Sequence, residues 1–246
     1  MINSIKDAFS RLSSRTATQS YQQLESNKKI LFEEIIHQDA VKRIFIKALL
    51  SNEPIHILLA GTPGSAKSLF LTEIMRCFKS SLFVVGSNST KAGLINQLFD
   101  KLPQYLLIDE LDKMNAVDQA SLLNLMESGL ISETKINKTR EQKLTLRVFA
   151  AANSADKVIE PLLSRFMVLQ LPEYTFEEFR QIGVSRLKKL GFESRLANAI
   201  VDQVWNQLHS KNIRDVLKIG KLADSAEDAQ FIISMMQKTR VSNRAD

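Results

Sequence analysis

The chain has 246 residues, 44% of them hydrophobic and 24% charged, with a formal net charge of +6. That is enough apolar chain for one large domain or a core with a small satellite, and it excludes a chain too polar to fold. A single cysteine, Cys77, excludes a disulfide framework. No run of about 18 apolar residues offers a membrane span, and the N-terminus lacks the apolar core of a secretory leader. A soluble protein of a reducing compartment, the cytoplasm, is therefore expected. The modest basic excess suits an anionic partner without requiring one.

Residues 1–30 are polar and read as an N-terminal arm. A helix is predicted over roughly 31–50, with Ile35, Ile36, Val41, Ile44, Phe45 and Ala48 on its apolar face. Five short apolar runs follow: Ile55–Ala60, Leu82–Val85, Tyr105–Ile108, Val148–Ala152 and Phe166–Leu171. Helical patterns separate most of them, which predicts a parallel sheet covered on both faces. Between the third and fourth runs lie a helix stopped by Gly129 and a polar alternating stretch, 131–146. That stretch predicts a β-hairpin with Asn137, Lys138, Thr139 and Arg140 at its tip. Leu171-Pro172 ends the sheet, because proline cannot continue a central strand. Thr175 and Glu178 form a capping box, and only helical patterns follow. The organisation predicted is an arm (1–30), an α/β core (31–172), a small helical lid (173–240) and a tail (241–246).

Two motifs carry chemistry. Gly61-Thr62-Pro63-Gly64-Ser65-Ala66-Lys67-Ser68 lies between an apolar run and an amphipathic one that starts at Leu69. Strand, glycine-rich turn and helix are the setting of a phosphate-binding loop, whose backbone N–H groups point at a polyphosphate. Lys67 supplies charge for the β- and γ-phosphates, and Ser68 a hydroxyl for Mg²⁺. Ala66 holds the place of the second glycine, which is acceptable if the backbone there is helical. The second motif, Leu106-Leu107-Ile108-Asp109-Glu110, is a buried strand ending in two acids. Asp109 can hold the metal through its coordination shell, and Glu110 can orient a water. Order and spacing together read as an ATPase using ATP and Mg²⁺.

With those residues in place the chain resembles the AAA+ ATPases along nearly its whole length. Gly61–Ser68 is similar to the Walker A motif and Leu106–Glu110 to Walker B. The resemblance implies a P-loop NTPase fold: a parallel five-stranded sheet flanked by helices, an inserted β-hairpin and an all-helical C-terminal lid. It implies roles for five further residues. Asn153, after Phe149–Ala152, would be the sensor-1 residue. Arg165, in Leu162–Phe166, would be an arginine finger acting on a neighbouring subunit. Arg214 would be the sensor-2 arginine of the lid. Ile36 and His37 would flank the adenine. Ala66–Ser68, Ile108–Met114 and Ala150–Asn153 look most like MCM proteins, and the hairpin is similar to the pre-sensor-1 hairpin of the MCM, RuvB and MoxR clade. In length and layout a RuvB-like ATPase without a winged helix is expected.

The resemblance implies a homo-hexameric ring, and the first expectation is a motor acting on DNA. Lys91, Lys138 and Arg140 would line its pore. The hairpin also carries Lys135, Lys143 and Arg147; without interleaved aromatics, these suit phosphate contact rather than base stacking. A MoxR-like remodeller of a protein partner, with an adaptor, is the second expectation. A nucleotide switch or clamp-loader-like subunit is the third.

Overall fold

The computed structural model describes residues 31–135 and 138–242. The expected arm, Asn137 at the hairpin turn and most of the expected tail lie outside the described residues. The chain divides into two units, one of residues 1–61 and 66–171, the other of 62–65 and 172–246.

The first unit runs α1 (Asp39–Leu50), β1 (Ile57–Ala60), α2 (Lys67–Cys77), β2 (Ser81–Val85), α3 (Lys91–Lys101), β3 (Tyr105–Asp109), α4 (Ala116–Ser128), β4 (Leu130–Lys135), β5 (Lys138–Lys143), β6 (Arg147–Ala152), α5 (Glu160–Leu163) and β7 (Met167–Gln170). Five strands form one parallel sheet in the order β2-β3-β6-β1-β7. Alternate residues of its strands feed two separate cores, as the two-residue period of a strand requires. Leu58, Leu106, Ile108, Val148 and Ala150 pack against α3, α4 and the root of the hairpin. Ile57, Leu59, Tyr105, Leu107 and Phe149 pack against α1 and α2. In the second core Phe149 stacks on Phe45 at 5.2 Å, and Cys77 is buried. Both faces being covered explains why the strands read as continuous apolar runs.

Helix α1 begins at Asp39, not near residue 31. His37 and Gln38 have left-handed backbones, φ 63° and 59°, which no α-helix can include. The hairpin also differs from expectation. Lys135 pairs with Lys138 and Glu133 with Arg140. Lys138, Thr139 and Arg140 belong to strand β5. The reason is cross-strand charge: Arg140 forms an ion pair with Glu133 directly opposite. Arg140 also donates to Asn96 Oδ1 at 3.2 Å and lies over the Phe99 ring at 4.6 Å, both on α3.

Arg147 is no hairpin-surface charge. It is 1% exposed. Its guanidinium donates to the carbonyls of Ala48, at 3.1 Å, and Ser51. Those groups end α1, where a cation meets the negative end of the helix dipole. Burial pushes the Arg147 pKa down from its usual value. Beside it His56 is buried between β1, β6 and α4. Its Nδ1 accepts from the Val148 N–H at 3.0 Å, so the ring proton is on Nε2, which donates to the Met126 carbonyl at 3.1 Å.

The second unit contains α6 (Phe176–Lys189), α7 (Ser194–Asn206), α8 (Ile213–Gly220) and α9 (Ala226–Ser242). Both hydrogen bonds of the Thr175–Glu178 capping box are present. Trp205 packs on Phe176 and Phe179 at 5.4 and 5.1 Å. Helix α7 stops at Asn206, and His209 follows with a left-handed φ of 48°.

Two stability tests follow from the buried Arg147 and His56. Arg147→Met should destabilise the protein by about 2–4 kcal/mol, because it leaves the Ala48 and Ser51 carbonyls unpaired; urea denaturation measures this. Burial, first, and the charge of Arg147 lower the His56 pKa below its usual 6.5, although the Met126 bond works the other way. The unfolded chain therefore binds a proton that the native imidazole resists. Stability from His56 is complete above about pH 6.5 and is lost as pH falls below that value, by at most about 1.4 kcal/mol per pH unit. His56→Gln should flatten this part of the stability–pH curve.

Candidate nucleotide site

The sheet order brings the candidate residues together. β6 lies between β1 and β3, so the carboxyl ends of all three are neighbours. The loop Gly61–Ser68 leaves β1, Asp109 and Glu110 end β3, and Asn153 leaves β6. Ala60 is level with Ala152, and Ile108 with Ala150. Two strand spacings, about 10 Å, separate β1 from β3. Ligands of open parallel sheets bind at this edge.

The loop is wound tightly. Gly61 is buried, Thr62 and Pro63 are exposed, and Gly64 has φ 92°. Ser65 is buried, and its Oγ donates to the Thr62 carbonyl at 2.8 Å. Lys67 is buried at the first turn of α2, and its Nζ donates to the Gly61 carbonyl at 2.7 Å. The ammonium thus lies inside the turn that the loop makes. Ser68 is half-buried and Leu69 exposed one residue further on. Ala66 does not have the helical backbone that would make alanine innocuous. Its φ is 67°, a conformation that costs an L-residue roughly 1–2 kcal/mol. The backbone has to reverse there so that the N–H groups opening α2 face into the loop.

Glu110 has the same left-handed backbone, φ 55° and ψ 42°. Its carboxylate is held on both oxygens. Lys113 Nζ donates to Oε1 at 2.9 Å and Ser87 Oγ to Oε2 at 3.0 Å. The bond to Glu110 raises the Lys113 pKa above its usual value. Gly86 makes the Ser87 contact reachable, since a Cβ there would lie 2.3 Å from the Glu110 carbonyl oxygen. Asp109 is half-buried and accepts from the Glu110 N–H at 3.0 Å. Asn153 is exposed, and its backbone N–H donates to Asp112 Oδ1 at 3.1 Å.

Ile36 and His37 precede α1 and are half-buried; His37 Nε2 is buried without a hydrogen-bond partner. Arg165 follows α5, forms an ion pair with Glu127 of α4 and donates to the Pro161 carbonyl at 2.6 Å. Arg214 lies exposed on the first turn of α8 in the helical unit, where the Asn212 side chain caps its N–H. Lys91 is exposed at the start of α3, its own N–H bound by Asp118 Oδ1 at 2.7 Å.

Ser87, Asp112, Lys113 and Glu127 are the functional candidates that sequence reading passes over. Asp112 and Lys113 stand two and three residues after Glu110, so their position was a signal. Ser87 and Glu127 have none, because each reaches its partner through the fold.

The donor set fits a magnesium-bound polyphosphate. It has an oxygen hydroxyl on Ser68, an oxygen carboxylate on Asp109, and a buried ammonium at the mouth of a helix.

Comparison with known proteins agrees with this geometry. Residues 57–173 match the model of the ATPase family associated with various cellular activities (AAA), and residues 3–102 match the MCM P-loop domain. The DNA replication licensing factor mcm2 of Schizosaccharomyces pombe is 30% identical over 49% of this chain and 18% of its own. The minichromosome maintenance protein MCM of Saccharolobus solfataricus is 28% identical over 68% of this chain and 26% of its own. The chain thus spans about a fifth to a quarter of those relatives' lengths. Among solved structures, the Thermotoga maritima RuvB Holliday junction branch migration motor superposes with a TM-score of 0.61 at 21% identity, covering 81% of this chain and 70% of that one. Glycine-rich loop, paired acids, strand order and sequence matches together support an AAA+ ATPase, and the fold is the one seen in the RuvB motor.

Proposed function

We propose that the protein hydrolyses ATP with Mg²⁺ and works as a ring motor on DNA, in a cytoplasmic setting that suits its one buried thiol. The observation that carries the hydrolytic reading is the placement of the loop, the two acids and Asn153 on three adjacent strand ends. Lys67 and the N–H groups opening α2 hold the phosphates. Ser68 and Asp109 would hold Mg²⁺, which neutralises charge on the β- and γ-phosphates. Glu110 takes a proton from water as the water oxygen bonds to the γ-phosphorus and the bridge to the β-phosphate breaks. Each of its oxygens keeps a lone pair for that proton beside the bond from Lys113 or Ser87. Asn153 orients the water, Arg214 acts from the lid, and Ile36 and His37 flank the adenine. Arg165 stabilises the transition state in a neighbouring subunit, which makes a ring, a hexamer by family likeness, part of the reading. DNA as the substrate rests on the similarity to MCM sequences and on Lys91 and Lys138.

One observation favours a second reading, the remodelling of a protein partner through an adaptor. Arg140 is engaged by Glu133, Asn96 and Phe99, which removes one of the three cations expected to meet DNA.

Glu110→Gln should retain ATP binding and slow hydrolysis by about a hundredfold or more, the contribution of a general base. Nucleotide titration and phosphate release measure the two separately. For DNA, the double substitution Lys91→Ala and Lys138→Ala should weaken binding and reduce the slope of log affinity against log salt by about two, one per lost phosphate contact. An unchanged slope removes these residues from the DNA path. Absence of DNA binding by the wild type with ATP at low salt makes the protein-remodelling reading the better one.

A further inference from the structure

Arg165 is not free on its own subunit. Its guanidinium forms an ion pair with Glu127, and its Nη1 donates to the Pro161 carbonyl at 2.6 Å. The arginine side chain is 28% exposed and the glutamate 65%. Five donors on a rigid fork allow few simultaneous geometries. With one donor on Pro161 and one on Glu127, the guanidinium is drawn towards its own subunit, and turning it towards an anion on another molecule competes with those contacts.

Glu127 is itself firmly placed. It stands one residue after Met126, whose carbonyl accepts the hydrogen bond of His56 Nε2–H, and two residues before Gly129. The Gly129 carbonyl accepts from Leu144 N–H at 2.8 Å, and a Cβ on Gly129 would lie 2.1 Å from the Leu144 oxygen. The chain around Glu127 is thus fastened on one side to the sheet and on the other to the root of the hairpin. Its backbone is held in place, and its solvent-exposed carboxylate meets Arg165 from there.

We infer that Glu127 is a positioning residue that retains the Arg165 side chain on its own subunit, so that the neighbour's γ-phosphate has to compete with a carboxylate for it. This rests on the reading of Arg165 as a finger acting between subunits. The retention is weak, because an ion pair this open to water contributes little. A γ-phosphate carries more charge and three acceptor oxygens, and it captures the guanidinium once a neighbour is in place. An isolated subunit keeps its finger in, and an assembled one gives it up. The effect of Glu127 is therefore largest where assembly is partial.

The full-length chain tests this through ATPase rate per subunit across a series of subunit concentrations, with assembly followed by sedimentation in ATP and Mg²⁺. Wild type, Glu127→Gln, Glu127→Asp, Arg165→Ala and the double variant Glu127→Gln/Arg165→Ala are compared. Glu127→Gln should reach half-maximal activity at a subunit concentration about two- to fivefold lower, the range of an exposed ion pair. The KM for ATP should not change. Glu127→Asp should behave as wild type. Arg165→Ala should be nearly inactive, and adding Glu127→Gln to it should shift neither rate nor assembly. If Glu127→Gln matches wild type while Arg165→Ala is inactive, the retention is wrong and the finger stands. If the shift in assembly persists without Arg165, Glu127 acts on something else and the inference falls. If Arg165→Ala hydrolyses ATP normally, the finger reading itself fails and takes the inference with it.

Discussion

Strand β6 has to lie between β1 and β3 for the rest of this molecule to follow. It is buried along its whole length and hydrogen-bonded on both edges. One of its faces supplies Val148, Ala150 and Ala152 to one core, and the other supplies Phe149 and Ala151 to the opposite core. Its amino end carries Arg147, which ties down the last turn of α1, and receives His56 through the Val148 N–H. Its carboxyl end delivers Asn153 between the phosphate loop and the paired acids. The small alanines at 150–152 keep that end narrow, so helices on both faces can approach the strands that carry the chemistry.

The strands were legible because a parallel sheet buried on both faces leaves a continuous apolar signature, bounded here by glycine, proline and polar runs. The strand–turn–helix setting of Gly61–Ser68 and the acid pair after Ile108 were legible for a related reason. Each is a local sequence with a local geometry. What escaped was set by distance. Arg147 reads as one more basic residue of a basic hairpin, and only the fold supplies the two helix-end carbonyls that bury it. Arg140 reads as a tip cation, whereas its strand partner Glu133 and the ring of Phe99 place it against α3. The start of α1 was misplaced because nothing in the side chains of His37 and Gln38 announces a left-handed backbone.

Strain gathers where chemistry is expected. Among the described residues, seven that are not glycine have positive φ, and His37, Ala66 and Glu110 are three of them. Each costs free energy that the surrounding sheet must offset. At Ala66 the reversal aims the first N–H groups of α2 into the loop. At Glu110 it turns the carboxylate sideways from the strand, towards Ser87 and Lys113, instead of continuing the pleat. A relaxed backbone at either residue would preserve the fold and misdirect the groups. The local departures from good geometry are thus the mark of positions whose orientation matters more than their stability.

The pairing of β1 sets when the loop can exist at all. Ile57 lies beside Phe149 on one side and Met167 on the other. The strand that launches the phosphate loop therefore finds its neighbours only far downstream in the sequence. Contacts this remote in sequence close large loops and slow the search for the native state. During synthesis from the N-terminus, the glycine-rich segment emerges early but has no sheet edge to fix it. Only after β6 and β7 have been made can it acquire a shape complementary to phosphate. A nascent chain of this kind is blind to nucleotide until those two strands have joined the sheet.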